Sequence, residues 1–378
     1  MKGGGSKFWY CSTCVLPSTR PNLVVRSDGS CDCSLKPGDR RNLRQVRDRE
    51  FADLVKEIRK VDAEYDCVIP VSGGKDSTWQ VVTALQYGLR PLCVTWKSPA
   101  RSDLGQRNLE NLVSLGVDHI DFTINPQVEK RFTRLAFSQL GSPAIPMHMA
   151  IHALALKTAL RYSAPLVIYG ENSAVEYGSR SDTAGGWKLT RDWLTRYGVT
   201  QGTTATDWVS ETLTERDLSP YSWPNDEELR ASDLRAIFLG HFFPWDPTKT
   251  YEIAAANGFA AAPEPTTGLY DFADIDDSFV IAVHHFMKWP KFGFTRTWDN
   301  IALEIRYGRM TREEGIGIIR NRGQEIPMKA IEMFCDYVDI SLSEFWRVVE
   351  KFRNPAIWQK TADNRWKIEN FLIPNWNW

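Results

Sequence analysis

Two sets of residues in this sequence combine type and spacing in ways that can do chemistry. The first is Val71-Ser72-Gly73-Gly74-Lys75-Asp76-Ser77-Thr78, set between the apolar run YDCVIP and the stretch WQVVTALQYG. Such an order predicts a strand, a glycine turn and a helix start, where unpaired backbone N–H groups favour an anion. Gly73 and Gly74 would let the backbone approach that ligand, and Ser77 and Thr78 fall in the first helical turn. Asp76 would repel a bare phosphate, so it implies either a divalent metal bridging it to the ligand or a helix cap. Asp76 and Ser77 are expected at a solvent-facing helix start. The spacing matches neither G-x-x-x-x-G-K-[ST] nor G-x-G-x-x-G.

The second set is Cys11-x-x-Cys14 and Cys31-x-Cys33, with 16 residues between the pairs. These cysteines lie in a stretch rich in turn formers (PSTRP, SDGS, KPGD) and too poor in apolar residues to build its own core. Tetrahedral zinc held by four thiolates is the natural answer. The single residue between Cys31 and Cys33 makes a tighter chelate loop than C-x-x-C, and a redox or sulfur-carrier pair is the competing reading. Cys67, Cys93 and Cys335 sit singly among apolar residues and lack the flanking glycines of a nucleophile elbow, so structural roles are expected for them.

The elements that must position these groups alternate. Strands are predicted at Cys67–Val71, Leu92–Trp96, His119–Thr123 and Leu166–Tyr169, with helices at Asp76–Tyr87, Leu104–Leu115, Gln127–Leu140 and Met147–Tyr162, after a charged helical stretch from Arg41 to Val61. That alternation is the pattern of a doubly wound, mainly parallel α/β sheet. Glu171 and Asn172 follow the last strand at its carboxyl end, where such sheets bind ligands, and Glu176 and Tyr177 come a turn later. Trp96 and Lys97 end the second strand. Residues 179–229 are polar and turn-rich, too long for an ordinary connection. From Asp274 onward the apolar spacing is helical, closing on an aromatic tail. The expected organisation is a cysteine module over 8–40, a nucleotide-binding domain over 60–270 carrying the 179–229 insertion, and a helical region over 271–378.

At 378 residues with 43% hydrophobic content, the chain can bury a sizeable core. Its 46 basic and 47 acidic residues leave a formal charge of -1, which argues against a nucleic-acid partner. No apolar stretch reaches the length of a membrane helix and no apolar leader is evident, so the cytoplasm is the expected location.

Ser72-Gly73-Gly74-Lys75-Asp76-Ser77 resembles the PP-loop of the ATP pyrophosphatase superfamily. The strings CSTCVLPSTRP, LCVTW, GQRNLENLVSLGVDHIDF, YGENSAVEYG, FLGHFFPWDP and HHFMKWPKFGFTR narrow the resemblance to the N-acetyl sugar amidotransferases of bacterial surface-polysaccharide biosynthesis, including lipopolysaccharide O-antigen and nonulosonic acid pathways. That resemblance implies an adenine nucleotide alpha hydrolase-like fold, ATP, Mg2+ and Zn2+, and conversion of an acetamido group on a nucleotide sugar into an acetamidino group through an O-adenylyl imidate and ammonia. It implies a separate HisH-like glutaminase, with or without a HisF-like ammonia-channelling subunit. The rival is a PP-loop tRNA-modifying enzyme.

Residue by residue, the resemblance implies that Ser72, Gly73, Gly74, Lys75, Asp76, Ser77 and Thr78 bind ATP, with Trp96 near adenine. Lys75 and Asp76 would act in catalysis. Glu171, Asn172 and Glu176 would serve the sugar, a metal or the ammonia. Lys288, Lys291, Arg296, Arg306, Arg309 and Arg312 are candidates for the sugar's diphosphate, a solvated basic helix face being the other reading. His284 and His285 adjoin on a helix and are expected to face different ways rather than share a pocket. His148 and His152 have i, i+4 spacing without a nearby acidic partner, which favours structural roles.

Overall fold

The computed structural model describes residues 8–34, 41–176 and 186–378. A charged helix, α1 (Arg41–Ile58), leads into β1 (Cys67–Pro70), α2 (Lys75–Gln86), β2 (Pro91–Trp96), α3 (Asp103–Val113), β3 (Asp118–Phe122), α4 (Pro126–Leu140), α5 (Ile145–Arg161) and β4 (Leu166–Tyr169). The predicted elements are all present, with ends shifted by a few residues. Beyond them lies β5 (Arg235–Phe238), a four-residue strand. The pattern of the sequence does not announce it, because so short an apolar run, RAIF, carries no period of its own.

All strands of this sheet are parallel, in the order β3-β2-β1-β4-β5. Alternate residues of each strand point to opposite faces. Cys67, Ile69, Cys93, Leu166 and Ile168 enter a core with α1, α2 and α3, whereas Val68, Leu92, Val94, Val167 and Tyr169 enter one with α5. Two covered faces explain why the inner strands β1, β2 and β4 read as continuous apolar runs. The strand order reverses between β1 and β4, and there the loops leaving the two strands diverge and open a crevice. The glycine turn leaves β1 at that point, and Gly170-Glu171-Asn172 leaves β4.

The remainder is helical from Val280 to Lys351 and ends in a two-stranded antiparallel hairpin, β6 (Trp358–Lys360) and β7 (Trp366–Ile368), where an aromatic tail on a helical region was expected. The hairpin's Trp358 and Ile368 share one core with Cys11, Cys14, Leu16, Trp289, Trp298 and Ile301. The cysteine segment, which has too few apolar residues for a core of its own, borrows one from the C-terminal helices. Arg20 and Lys288 both pair with the buried Asp299, each at 2.9 Å, and tie the same two regions together. Residues 35–40 of the expected module and 179–185 of the expected insertion lie outside the described residues.

In the glycine turn the two glycines differ. Gly73 has φ +85°, and a Cβ there would lie 2.6 Å from the Leu109 amide nitrogen on α3. Its need for glycine comes from its left-handed backbone and from packing against α3. Gly74 has φ -70°, the ordinary range. Gly73→Ala should therefore lose on the order of 2 kcal/mol of stability, while Gly74→Ala should change it by no more than about 0.5 kcal/mol. Chemical denaturation of both variants checks this, and equal losses would contradict it.

Candidate active site

Three cavities open along the crevice and meet at one place. The first, of about 180 Å3, is floored by Gly74, Lys75 and Asp76 and walled by Trp245, Tyr270 and Phe272. The second, of about 360 Å3, runs along the ends of β1 and β2, with Val71, Val94, Trp96, Met147 and Leu154 as apolar walls. The third and largest, of about 450 Å3, lies under the C-terminal helices and is lined by Arg20, His148, His284, Lys288, Lys291 and Phe294, among others. Glu171 and Asp274 line all three.

The turn is more enclosed than a solvent-facing helix start, which corrects the expectation for Asp76 and Ser77. Lys75 and Ser77 are buried. Ser77 Oγ donates to the Gly74 carbonyl at 2.9 Å, and Thr78 Oγ1 donates to the same oxygen at 3.1 Å. Asp76 pairs with the Lys75 ammonium and accepts from Trp245 Nε1 at 2.9 Å and from Thr250 Oγ1 at 3.0 Å. The Lys75 ammonium lies 5.7 Å from the Trp245 ring centroid and 5.9 Å from that of Phe272. Lys75 and Asp76 are thus held by aromatic and hydroxyl partners from a segment about 170 residues away in sequence.

Carboxylates crowd the junction. Burial, and then the neighbouring Asp76, push the Glu171 carboxyl up to about 7. Asp276 is pushed up by burial, and Asp277 reaches about 7 through burial despite hydrogen bonds from Ile281, Phe279 and Ser98. Asp274 goes the other way. Burial opposes its charge, but His285 and Arg296 hold it well below the usual carboxylate range, with Nε2 of His285 3.3 Å and Nε of Arg296 3.8 Å from its Oδ2. Thr267 Oγ1 donates to the same oxygen. Asp274 has φ +55°, a left-handed conformation uncommon outside glycine and found where a site over-determines the backbone.

Several of the candidates drawn from the sequence fall elsewhere, for reasons of charge burial. Glu176 and Arg306 form a pair buried on both sides, Arg306 Nη2 donating to Glu176 Oε2 at 3.0 Å and Nη1 to the Glu176 carbonyl at 2.8 Å. Arg306 is therefore spent on the β4 loop and lines none of the three cavities. Arg309 is paired with Asp246 and Glu304, and Arg312 donates to the Cys14 carbonyl. Lys288, Lys291 and Arg296 do face the largest cavity. Asn172 is buried and donates to the Gly186 carbonyl at 3.3 Å. Trp96 lines the β1–β2 cavity and donates to Glu129 Oε1 at 2.6 Å. Tyr177 lies outside the described residues.

The histidines also differ from expectation. His284 and His285 both line the largest cavity, because it runs along the Val280–Phe286 helix on the face they share with Ile281, three and four residues before them. His148 faces it too, whereas His152 turns back to donate from Nδ1 to the His148 carbonyl at 2.6 Å and stacks on Tyr169 at 5.2 Å. Asp274, Asp276, Trp245, Tyr270 and Phe272 were missed by sequence reasoning. The acidic string DFADIDDS, directly before a helix, was the available signal for the aspartates.

The sulfurs of Cys11, Cys14 and Cys31 lie within 4.8 Å of one another, with Cys14 Sγ 3.5 Å from Cys31 Sγ. Amides of Thr13, Cys14 and Cys31 point at Cys11 Sγ from 3.2–3.4 Å, as they do toward a thiolate. Cys33 is buried and its thiol hydrogen-bonds Cys31, outside that mutual set. Soft thiolates so clustered fit zinc. Cys67, Cys93 and Cys335 are buried, and burial raises each thiol, Cys93 to about 12 and Cys335 to about 11.

The fold and crevice together define a doubly wound α/β protein with its ligand cleft at the sheet's switch point. Residues 267–372 match the family model described as LPS biosynthesis protein WbpG-like, C-terminal domain, in agreement with the resemblance read from the sequence motifs. Among solved structures, NMN synthetase from Francisella tularensis is similar at 15% identity and a TM-score of 0.29, over 56% of this chain and 92% of that one. No curated protein matches the sequence.

Two outcomes follow. Zinc analysis of the purified chain should find one equivalent, and Cys14→Ser should lose both the metal and much of the fold, since the segment's core is shared with the C-terminal helices. A metal-free, well-folded wild type would contradict this. Burial pushes the Glu129 carboxyl up to about 8 from 4.5, against a hydrogen bond from Trp96. The unfolded chain then ionises first, so stability falls as pH rises between those two values. Glu129→Gln should remove that slope, matching wild type near pH 4 and exceeding it at pH 8 by on the order of 4 kcal/mol. Parallel pH curves would refute the assignment.

Proposed function

We propose that the chain is the synthetase component of an ATP-dependent amidotransferase, converting an acetamido group of a nucleotide-activated sugar into an acetamidino group in bacterial surface-polysaccharide biosynthesis. The observation that carries the reading is the meeting of three bays at Glu171 and Asp274. A phosphate bay, an apolar bay for a base and a cationic bay of sugar size, joined at one point, suit a reaction between a nucleotide's α-phosphate and a second substrate. The C-terminal match to a lipopolysaccharide biosynthesis family supports the sugar side.

An amide oxygen is a poor leaving group, so it must first attack the α-phosphorus and become an O-adenylyl imidate. Ammonia then adds and AMP departs. In this assignment the β- and γ-phosphates lie on Gly74–Ser77, with Lys75 offsetting the charge that grows on pyrophosphate. Adenine lies in the Trp96 bay, and the acetamido group stands at Glu171. Carboxylates around the junction would repel a triphosphate, and their hard oxygens fit magnesium, with Glu171 and Asp276 making no ion pair among the described residues. Bound there, magnesium would neutralise the phosphate oxygens. Aromatic walls from Trp245, Tyr270 and Phe272 exclude water from the phosphate bay and strengthen the Lys75 charge.

Ammonia would come from a separate glutaminase, since the buried, high-pKa cysteines outside the zinc cluster are poor nucleophiles. The purified chain with magnesium, ATP, ammonium and a panel of acetamido nucleotide sugars should yield AMP and pyrophosphate and a sugar lighter by about one mass unit, the difference between an oxygen and an NH. An 18O label in the amide should appear in AMP. Formation of ADP, or AMP without the label, would overturn the reading.

A further inference from the structure

The amidine-forming step needs ammonia at a carbon that ATP and the sugar already enclose. A fourth cavity, of about 250 Å3, adjoins the junction from another side. His285 and Arg296 line both it and the sugar bay, and so form the partition between them. Apart from Arg296, it shares no lining residue with the phosphate and base bays. Its rim includes the exposed Thr266 and Ile326, and Ala282, Phe286 and Pro327 give it an apolar wall.

His285 stands at the inner end in a defined state. Its Nε2 faces Asp274 Oδ2 at 3.3 Å, which places the proton on Nε2 and the lone pair on Nδ1. That Nδ1 is buried and meets no hydrogen-bond donor among the described residues. Burial, with Lys288 next, holds the ring neutral, pushed down to about 4 despite Asp274.

We propose that ammonia reaches the reaction centre through this fourth cavity and that His285, oriented by Asp274, accepts the proton released as the amidine forms; the proposal rests on the amidotransferase reading above. The nitrogen lone pair attacks the imidate carbon and a C–N bond forms. The bond from that carbon to the adenylyl oxygen breaks, its electron pair leaving with AMP. A proton passes from the new nitrogen to Nδ1 and then to solvent, while the Asp274 carboxylate offsets the transient imidazolium. The two arginines beside the cavity are each paired, Arg296 with Asp274 at 3.8 Å and Arg322 with Glu325 at 3.0 Å, which leaves no unpaired carboxylate on its wall to hold ammonium in place of neutral ammonia.

Two readouts separate this route from the chemistry it serves. Sugar-dependent ATP–pyrophosphate exchange reports adenylylation and needs no ammonia; amidine formation against ammonium concentration reports the second step. Thr266→Trp and Ile326→Trp stand on an exposed rim and should keep exchange within about twofold while raising the ammonium KM about tenfold or more. His285→Asn should lower kcat for amidine formation at saturating ammonium by about a hundredfold or more beyond any change it causes in exchange. Rim variants with a wild-type ammonium KM, or His285→Asn with full amidine formation, would overturn the proposal while leaving the amidotransferase reading intact. Wild-type protein without sugar-dependent exchange would overturn that reading, and the ammonia route with it.

Discussion

A guanidinium cannot be buried without a counter-charge and hydrogen-bond acceptors, and in this chain that requirement fixes how the C-terminal helices sit on the sheet. Arg306, at 1% exposure, meets both in Glu176, one turn beyond the loop that leaves β4. Breaking such a pair leaves a buried charge and typically costs about 3–5 kcal/mol. Because Glu171 lies on the same loop and Arg296 begins the helix that ends in Arg306, the pair also sets the distance across the crevice. Asp299, in the first turn of that helix, receives Arg20 and Lys288, so the cysteine segment is carried with it.

The same geometry concentrates acid at the junction of the bays, where the proposed reading puts phosphate. Asp76, Glu171, Asp274 and Asp276 surround the junction, but they are not equivalent. Asp76 and Asp274 are held in place by cations and hydroxyls, whereas Glu171 and Asp276 are raised by burial. A divalent cation would bring the second pair into the charged form, linking metal occupancy to nucleotide binding. Among the described residues, no helix is long and apolar enough to cross a membrane.

Apart from β5, the sheet was legible because its inner strands β1, β2 and β4 are apolar runs between turn formers, and the glycine turn was legible because its residues are contiguous. Distance in sequence hid the rest. Trp245 and Thr250 reach Asp76 from far along the chain, and Asp274 becomes a site residue through His285, Thr267 and Arg296, none of which a local pattern connects to it. Basic residues over 288–312 read as one face, yet burial divides them: Lys288, Lys291 and Arg296 reach the largest bay while Arg306, Arg309 and Arg312 are used internally. The pairing of β6 with β7 was invisible because strands this short are defined by each other rather than by their own residues.

The mechanism turns on which phosphate stands at the junction of the bays. A crystal structure of the chain with magnesium and α,β-methylene ATP, which cannot be split between those phosphates, answers this directly. The expected result is adenine in the Trp96 bay, the β- and γ-phosphates on Gly74–Ser77, and the α-phosphorus nearest Glu171 and Asp274. A γ-phosphate at the junction, with the α-phosphate on the glycine turn, would contradict it.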